Sequence, residues 1–112
     1  MNIGAVEQHI LIAIVALHPN AYGVSIQDHI LRRVDYEHSI GSIYAALGRL
    51  EDKGYIKSRQ GEATRERGGR AKLYFTVTAA GQATLKESLR ALSSLQRGLR
   101  WREAFRRIEV VA

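Results

Sequence analysis

Apolar residues recur at helical spacing through the first half of the chain, in three runs separated by short polar breaks. In residues 3–17, Ile3, Val6, Ile10, Ile14 and Leu17 fall on one face, and Leu11, Ala13 and Val15 widen it. His18-Pro19-Asn20 closes this run, because proline cannot donate to a continuing helix and turns the residue before it away from helical angles. A second helix is predicted over about residues 22–34, with Val24, Ile26, Ile30 and Leu31 as its apolar set. Its Arg32 and Arg33 lie near the C-terminal end, where the helix dipole favours cations. The third run, residues 39–54, carries an apolar stripe at Ile40, Ile43, Leu47 and Leu50. Ser39 suits its N-cap, and Gly54 suits the left-handed position just past its last turn.

The period then changes from helical to alternating. Residues 55–59 read as one strand, and residues 72–77, rich in aromatic and β-branched side chains, read as a second. Between them, residues 60–71 hold three glycines and no apolar periodicity, which predicts a hairpin loop longer than a tight turn needs. Thr78 can cap a fourth helix, striped by Leu85, Leu89, Leu92, Leu95 and Leu99, with Gly98 a weak point where it bends or stops. Trp101, Phe105 and Ile108 extend the apolar side, and Arg97, Arg100, Arg102, Arg106 and Arg107 cover the other. The predicted fold is mainly α with a small β-hairpin. Residues 1–77 form a winged helix-turn-helix domain, and residues 78–112 form a long C-terminal dimerisation helix. A helix of about thirty residues outruns so small a core and would leave its leucines bare. Leu85, Leu89, Leu92, Leu95, Leu99, Trp101 and Phe105 are therefore the predicted interface of a homodimer.

The third helix has a second face. Opposite its stripe lie Gly41, Ser42, Ala45, Gly48 and Arg49, with Tyr44 at the edge: small, polar, and nearly free of acid. Such a face suits close approach to another surface, and the DNA major groove is one. Charge sharpens this reading. The chain carries a net charge of +6, but residues 1–56 hold four Lys or Arg against six Asp or Glu, whereas residues 57–112 hold thirteen against five. Arg65, Arg67, Arg70 and Lys72 concentrate cations in the hairpin, where they would meet phosphates without reading sequence. The predicted DNA-binding set is Ser39, Gly41, Ser42, Tyr44 and Arg49 from the helix together with those four from the wing. The same surfaces would also suit an acidic protein, so a winged-helix interaction module that does not bind specific DNA is the alternative.

Other chemistries find no support. There is no cysteine for a disulfide or thiolate site. His9, His18, His29 and His38 are scattered over separate elements, so no metal and no cofactor are expected. Ser25, Asp28 and His29 have the letters of a catalytic triad but lie within one helical turn, too local for a nucleophile–base–acid relay. Gly68-Gly69 is not followed by the Lys-Ser/Thr helix start of a phosphate loop, and no enzyme is expected. The apolar run from Ile10 to Leu17 is too short to span a bilayer, and residues 1–4 lack the basic start of a signal peptide. A cytoplasmic protein with no membrane partner is the expectation.

Several blocks are also familiar in order. Gly4-Ala5-Val6-Glu7 with Ile10-Leu11, Ala21-Tyr22-Gly23-Val24, the whole of residues 39–56, Glu66-Arg67-Gly68-Gly69-Arg70-Ala71-Lys72-Leu73-Tyr74-Phe75, and Thr78-Ala79-Ala80-Gly81 resemble the PadR family of bacterial winged-helix regulators. The resemblance covers nearly the whole winged helix and stops short of the last third of the C-terminal helix. It implies a homodimeric transcriptional repressor bound to double-stranded DNA at a pseudo-palindromic operator, often with a hydrophobic or aromatic small molecule as inducer. Where many members carry proline after the motif tyrosine, this chain has Ala45.

Overall fold

Burial of the predicted stripes against one another organises the first three helices. The computed structural model describes residues 3–63, 71–109 and 111, with the side chains of residues 62, 63 and 71 left out. Over these residues the order is α1 (Ala5–Leu17), α2 (Gly23–Val34), α3 (Ile40–Asp52), β1 (Ile56–Ala63), β2 (Ala71–Val77), α4 (Ala79–Gln96) and α5 (Trp101–Arg107). Ile10, Leu11 and Ile14 from α1, Ile26 and Ile30 from α2, and Ile43, Leu47 and Leu50 from α3 form one core, closed by Ile56 and Phe75 of the hairpin and Leu85 of α4. A few stripe residues lie outside it. Ile40, Val24 and Val15 are exposed, the first two in the opening turns of their helices.

The caps follow the side-chain chemistry. Ser39 Oγ accepts from the Ser42 amide at 3.1 Å, satisfying one of the free donors of the first turn of α3. Gly54, at φ +78°, ends that helix in the left-handed region open to glycine. Thr78 Oγ1 accepts from the Gly81 amide at 3.1 Å and donates to the Gly54 carbonyl at 2.6 Å, so one hydroxyl both starts α4 and ties it to the end of α3. Between α2 and α3, Asp35 turns the chain at φ 55°, and Gln27 Nε2 donates to the His38 carbonyl at 2.7 Å.

The hairpin is antiparallel and pairs Ile56 with Val77, Arg59 with Tyr74 and Ala63 with Ala71, with a register shift between Gln60 and Ala63. β1 is longer than its apolar pattern predicts, because ladder hydrogen bonds need backbone rather than apolar side chains. The Phe75 amide donates to the Ala21 carbonyl at 2.8 Å, fixing the hairpin base to the α1–α2 turn.

The C-terminal segment, expected as a long helix with a weak point at Gly98, is interrupted there. α4 ends at Gln96, Gly98 takes φ +81°, and α5 begins only at Trp101. The leucine period runs across the break, which the backbone freedom of Gly98 marks. Leu85, expected at a dimer interface, is 7% exposed and belongs to the core of its own chain. Leu89, Leu92, Leu95, Leu99, Trp101 and Phe105 remain exposed.

An ion pair between a buried carboxylate and an exposed lysine braces the frame. Glu7 is 7% exposed, accepts from the Gly4 amide at 3.0 Å, and meets the Lys53 ammonium at 3.0 and 3.3 Å. Burial opposes its charge, but the Gly4 amide, the Lys53 ammonium and the more distant Arg49 guanidinium outweigh burial and hold its carboxyl below the ordinary 4.5. A depressed carboxylate stabilises the fold fully above its unfolded pKa, and that stabilisation is lost as pH falls through the folded value. Lys53→Met is expected to cost about 1–3 kcal/mol at neutral pH, the cost of stranding a buried charged acceptor. In urea titrations the gap from the parent should narrow below the ordinary value of 4.5, as Glu7 becomes protonated in both proteins.

Candidate nucleic-acid interface

α3 is held by one side only. Ile43, Ala46, Leu47 and Leu50 are buried, while Gly41, Ser42, Ala45, Gly48 and Arg49 are exposed on the opposite side. Among the described residues, a β-carbon added at Gly41 or Gly48 would meet no atom within 4 Å beyond its chain neighbours and the backbone of its own helix. The fold therefore has no internal need for either glycine. In a helix interior glycine costs roughly 0.5–1 kcal/mol against alanine, so Gly48 gives up stability to keep the surface low. Ser39 donates to Ser42 Oγ at 2.9 Å, which groups two hydroxyls at the amide end of this helix, where anions are favoured.

Tyr44 sits at the edge of this face, half exposed. A β-carbon at Gly23 would stand 2.5 Å from its ring and hydroxyl, so the first residue of α2 must be glycine for the ring to lie there. The residue before it, Tyr22, carries the Lys72 ammonium over its ring at 4.1 Å. Tyr22 also meets Tyr74 edge-on at 5.7 Å, and the Arg59 guanidinium lies 4.8 Å over Tyr74 while donating to the Pro19 carbonyl at 3.2 Å. Through the start of α2, these contacts join the wing base to the outer face of α3. Cation–π contact holds both cations against rings without neutralising them.

Among the predicted residues, Ser39, Gly41, Ser42, Tyr44 and Arg49 are all exposed on α3, and Lys72 is half-buried at the wing base. Arg65, Arg67 and Arg70 lie outside the described residues. Asp28, a conceivable partner for Arg49, is instead paired with Arg32 at 2.9 Å. Sequence pattern alone misses Tyr22, Arg59 and Tyr74. Their signal is the alternation Lys72-Leu73-Tyr74, which puts ammonium and ring on one face of β2, but placing Arg59 opposite Tyr74 requires the register. Ser25 proves structural: its hydroxyl accepts from the Tyr22 amide at 2.9 Å and donates to the Asn20 carbonyl at 2.9 Å. Among the described residues no three His, Cys, Asp or Glu side chains converge as for a metal ion, and no helix is long and apolar enough to cross a membrane.

Residues 11–87 match the transcriptional regulator PadR-like family. Over 67 residues, 60% of this chain, the sequence is 42% identical to "Transcriptional regulator Rv3488" of Mycobacterium tuberculosis, and the match spans 59% of that relative. The fold is similar to that of a transcriptional regulator from Clostridium thermocellum, with a TM-score of 0.69, 28% identity, and coverage of 82% of this chain and 86% of that one. It is also similar to that of Bacillus subtilis PadR, solved in complex with operator DNA, with a TM-score of 0.62, 20% identity, and coverage of 76% and 46%.

Gly48→Ala should raise stability by about 0.5–1 kcal/mol in chemical denaturation, since the added methyl meets nothing and restricts the unfolded chain. An unchanged or lowered midpoint would mean that the bare face has an internal cause.

Proposed function

Because this chain belongs to the PadR-like family of transcriptional regulators, a family of regulators rather than enzymes, we propose that it acts as a homodimeric repressor on a pseudo-palindromic DNA operator. The observation that carries this reading is the outer face of α3, kept low by two glycines that the fold itself does not use. A helix lying in a major groove needs such a surface, with Ser39 and Ser42 near base edges or phosphates and Arg49 on the backbone. Lys72 at the wing base and the sequence-predicted Arg65, Arg67 and Arg70 supply the electrostatic share of affinity. That a B. subtilis protein of similar fold was solved with operator DNA supports the same use of the fold here.

Dimerisation supplies the second half-site. The exposed Leu89, Leu92 and Leu95 on α4 form the seam, and Leu95, 78% exposed, is the kind of residue a lone chain would not leave bare. A two-fold axis through this seam pairs two α3 helices for half-sites one DNA turn apart. Residues 1–77 would then read DNA and residues 78–112 assemble the pair. Repression follows if the bound dimer blocks the promoter, and a hydrophobic or aromatic effector that disturbs the seam would relieve it. Such a protein works in the cytoplasm, beside the DNA it regulates.

Selection from random DNA tests the reading directly. The protein should enrich one two-fold-related motif, and Gly48→Ala should bind that motif more weakly although it is more stable. Absence of any enriched motif would favour the interaction module. Replacing Arg67 and Arg70 together by alanine should weaken binding to all sequences alike and reduce the salt slope by about one for each phosphate no longer neutralised. At the seam, Leu92→Glu should give monomers in light scattering, and a variant that stays dimeric rejects α4 as the interface.

A further inference from the structure

The pairing register separates the two faces of the hairpin. Ile56 and Phe75 are buried in the core. Because side chains alternate along a strand, Arg59 on β1 and Lys72 and Tyr74 on β2 belong to the opposite, outer face. Tyr22 joins them from the α1–α2 turn, which the hydrogen bond from the Phe75 amide to the Ala21 carbonyl lays alongside β2.

These four side chains form one row. The Arg59 guanidinium lies over Tyr74, Tyr74 meets Tyr22 edge-on, and the Lys72 ammonium lies over Tyr22. A glycine makes room for it: Gly61 sits in the register shift of β1, and a β-carbon there would run into the Tyr74 ring. The ring that carries Arg59 therefore keeps its place because residue 61 has no side chain. At the other end of the row, Gly23 follows Tyr22 and packs against Tyr44 of α3. The row thus begins one residue from a contact with the helix assigned above to the major groove.

Rings and carboxylates hold cations with different consequences. A carboxylate cancels the charge it positions, whereas a ring leaves it whole. Among the described residues, neither Arg59 nor Lys72 is ion-paired with an acid. Arg59 is exposed and commits its Nη2 to the Pro19 carbonyl, which leaves the rest of its donor fork for an anion. Full charge, with side-chain freedom surrendered before the anion arrives, is what favours binding to a phosphodiester.

We propose that Arg59 and Lys72 together contact the DNA phosphodiester backbone beside α3, and that Tyr22 and Tyr74 are positioning residues that hold the two cations ready for it. This rests on the DNA-binding reading above and adds Arg59 to it. The guanidinium fork suits two oxygens of one phosphate, and the ammonium acts as a point charge on a neighbouring one. Since phosphates carry no base identity, the pair supplies affinity without sequence preference.

Salt dependence counts neutralised phosphates, so it separates charge from placement. On a duplex of random sequence, Arg59→Met should lower the slope of log affinity against log salt by about one. Tyr74→Leu keeps every charge. It should leave the slope unchanged and weaken binding about two- to fivefold, the worth of an exposed cation–π contact. Tyr74→Phe, which keeps the ring, should bind as the parent does, and in the Arg59→Met background Tyr74→Leu should cost nothing further. Tyr22→Leu with Lys72→Met makes the same cycle at the other end of the row, so the outcome does not hang on the folding of one variant. An unchanged slope for Arg59→Met, or equal losses from the leucine variants with and without their cations, overturns the proposal. Neither result touches the enrichment of a motif from random DNA, on which the DNA-binding reading stands. A parent that binds polyglutamate but no duplex overturns both.

Discussion

Everything on the outer surface depends on α3 being anchored by one face alone. Ile43, Leu47 and Leu50 are at most 2% exposed, and the last turn of the helix delivers Lys53 to the carboxylate of Glu7. Because the inner face is tied down this firmly, the outer face is free to carry glycine, alanine and serine, residues that add nothing to cohesion. A helix stabilised from all sides could not expose such a face without loosening. The Glu7–Lys53 pair belongs to the same anchoring: it locks the first helix to the end of the third, and both charges are satisfied by the same contact together with the Gly4 amide.

Local features were legible in the sequence and distant ones were not. Ser39, Gly54 and Thr78 are caps whose chemistry acts within three or four residues, so spacing alone placed them. The empty face of α3 was equally visible, since it follows from helical geometry. The Glu7–Lys53 contact joins residues 46 positions apart, and no periodicity connects them. The same holds for Arg59 over Tyr74 and Lys72 over Tyr22, which depend on strand register and on where the α1–α2 turn falls. Leu85 and Leu89 look alike in the leucine stripe, but only the first lies beneath the hairpin and α1; a one-dimensional pattern cannot separate a stripe that starts in the core from one that continues beyond it.

The distribution of charge follows the division of labour. The acid-rich first half builds the core and its braces, while the basic second half supplies the wing and the tail. Rings at the wing base allow cations to be placed without acid partners: Tyr22 and Tyr74 hold Lys72 and Arg59 in position while leaving their full charge to act outward. Among the described residues, neither cation is joined to an acid by an ion pair.

Gly98 gives the tail a single adjustable joint. Its φ of +81° is costly for any residue with a β-carbon, roughly 1–2 kcal/mol. A side chain there would favour ordinary angles and re-aim everything downstream, and because α5 is a rigid lever about 10 Å long, a modest rotation at its root sweeps its far end across several ångströms. The direction of the tail is therefore set at one backbone position, outside the winged helix from which the tail departs.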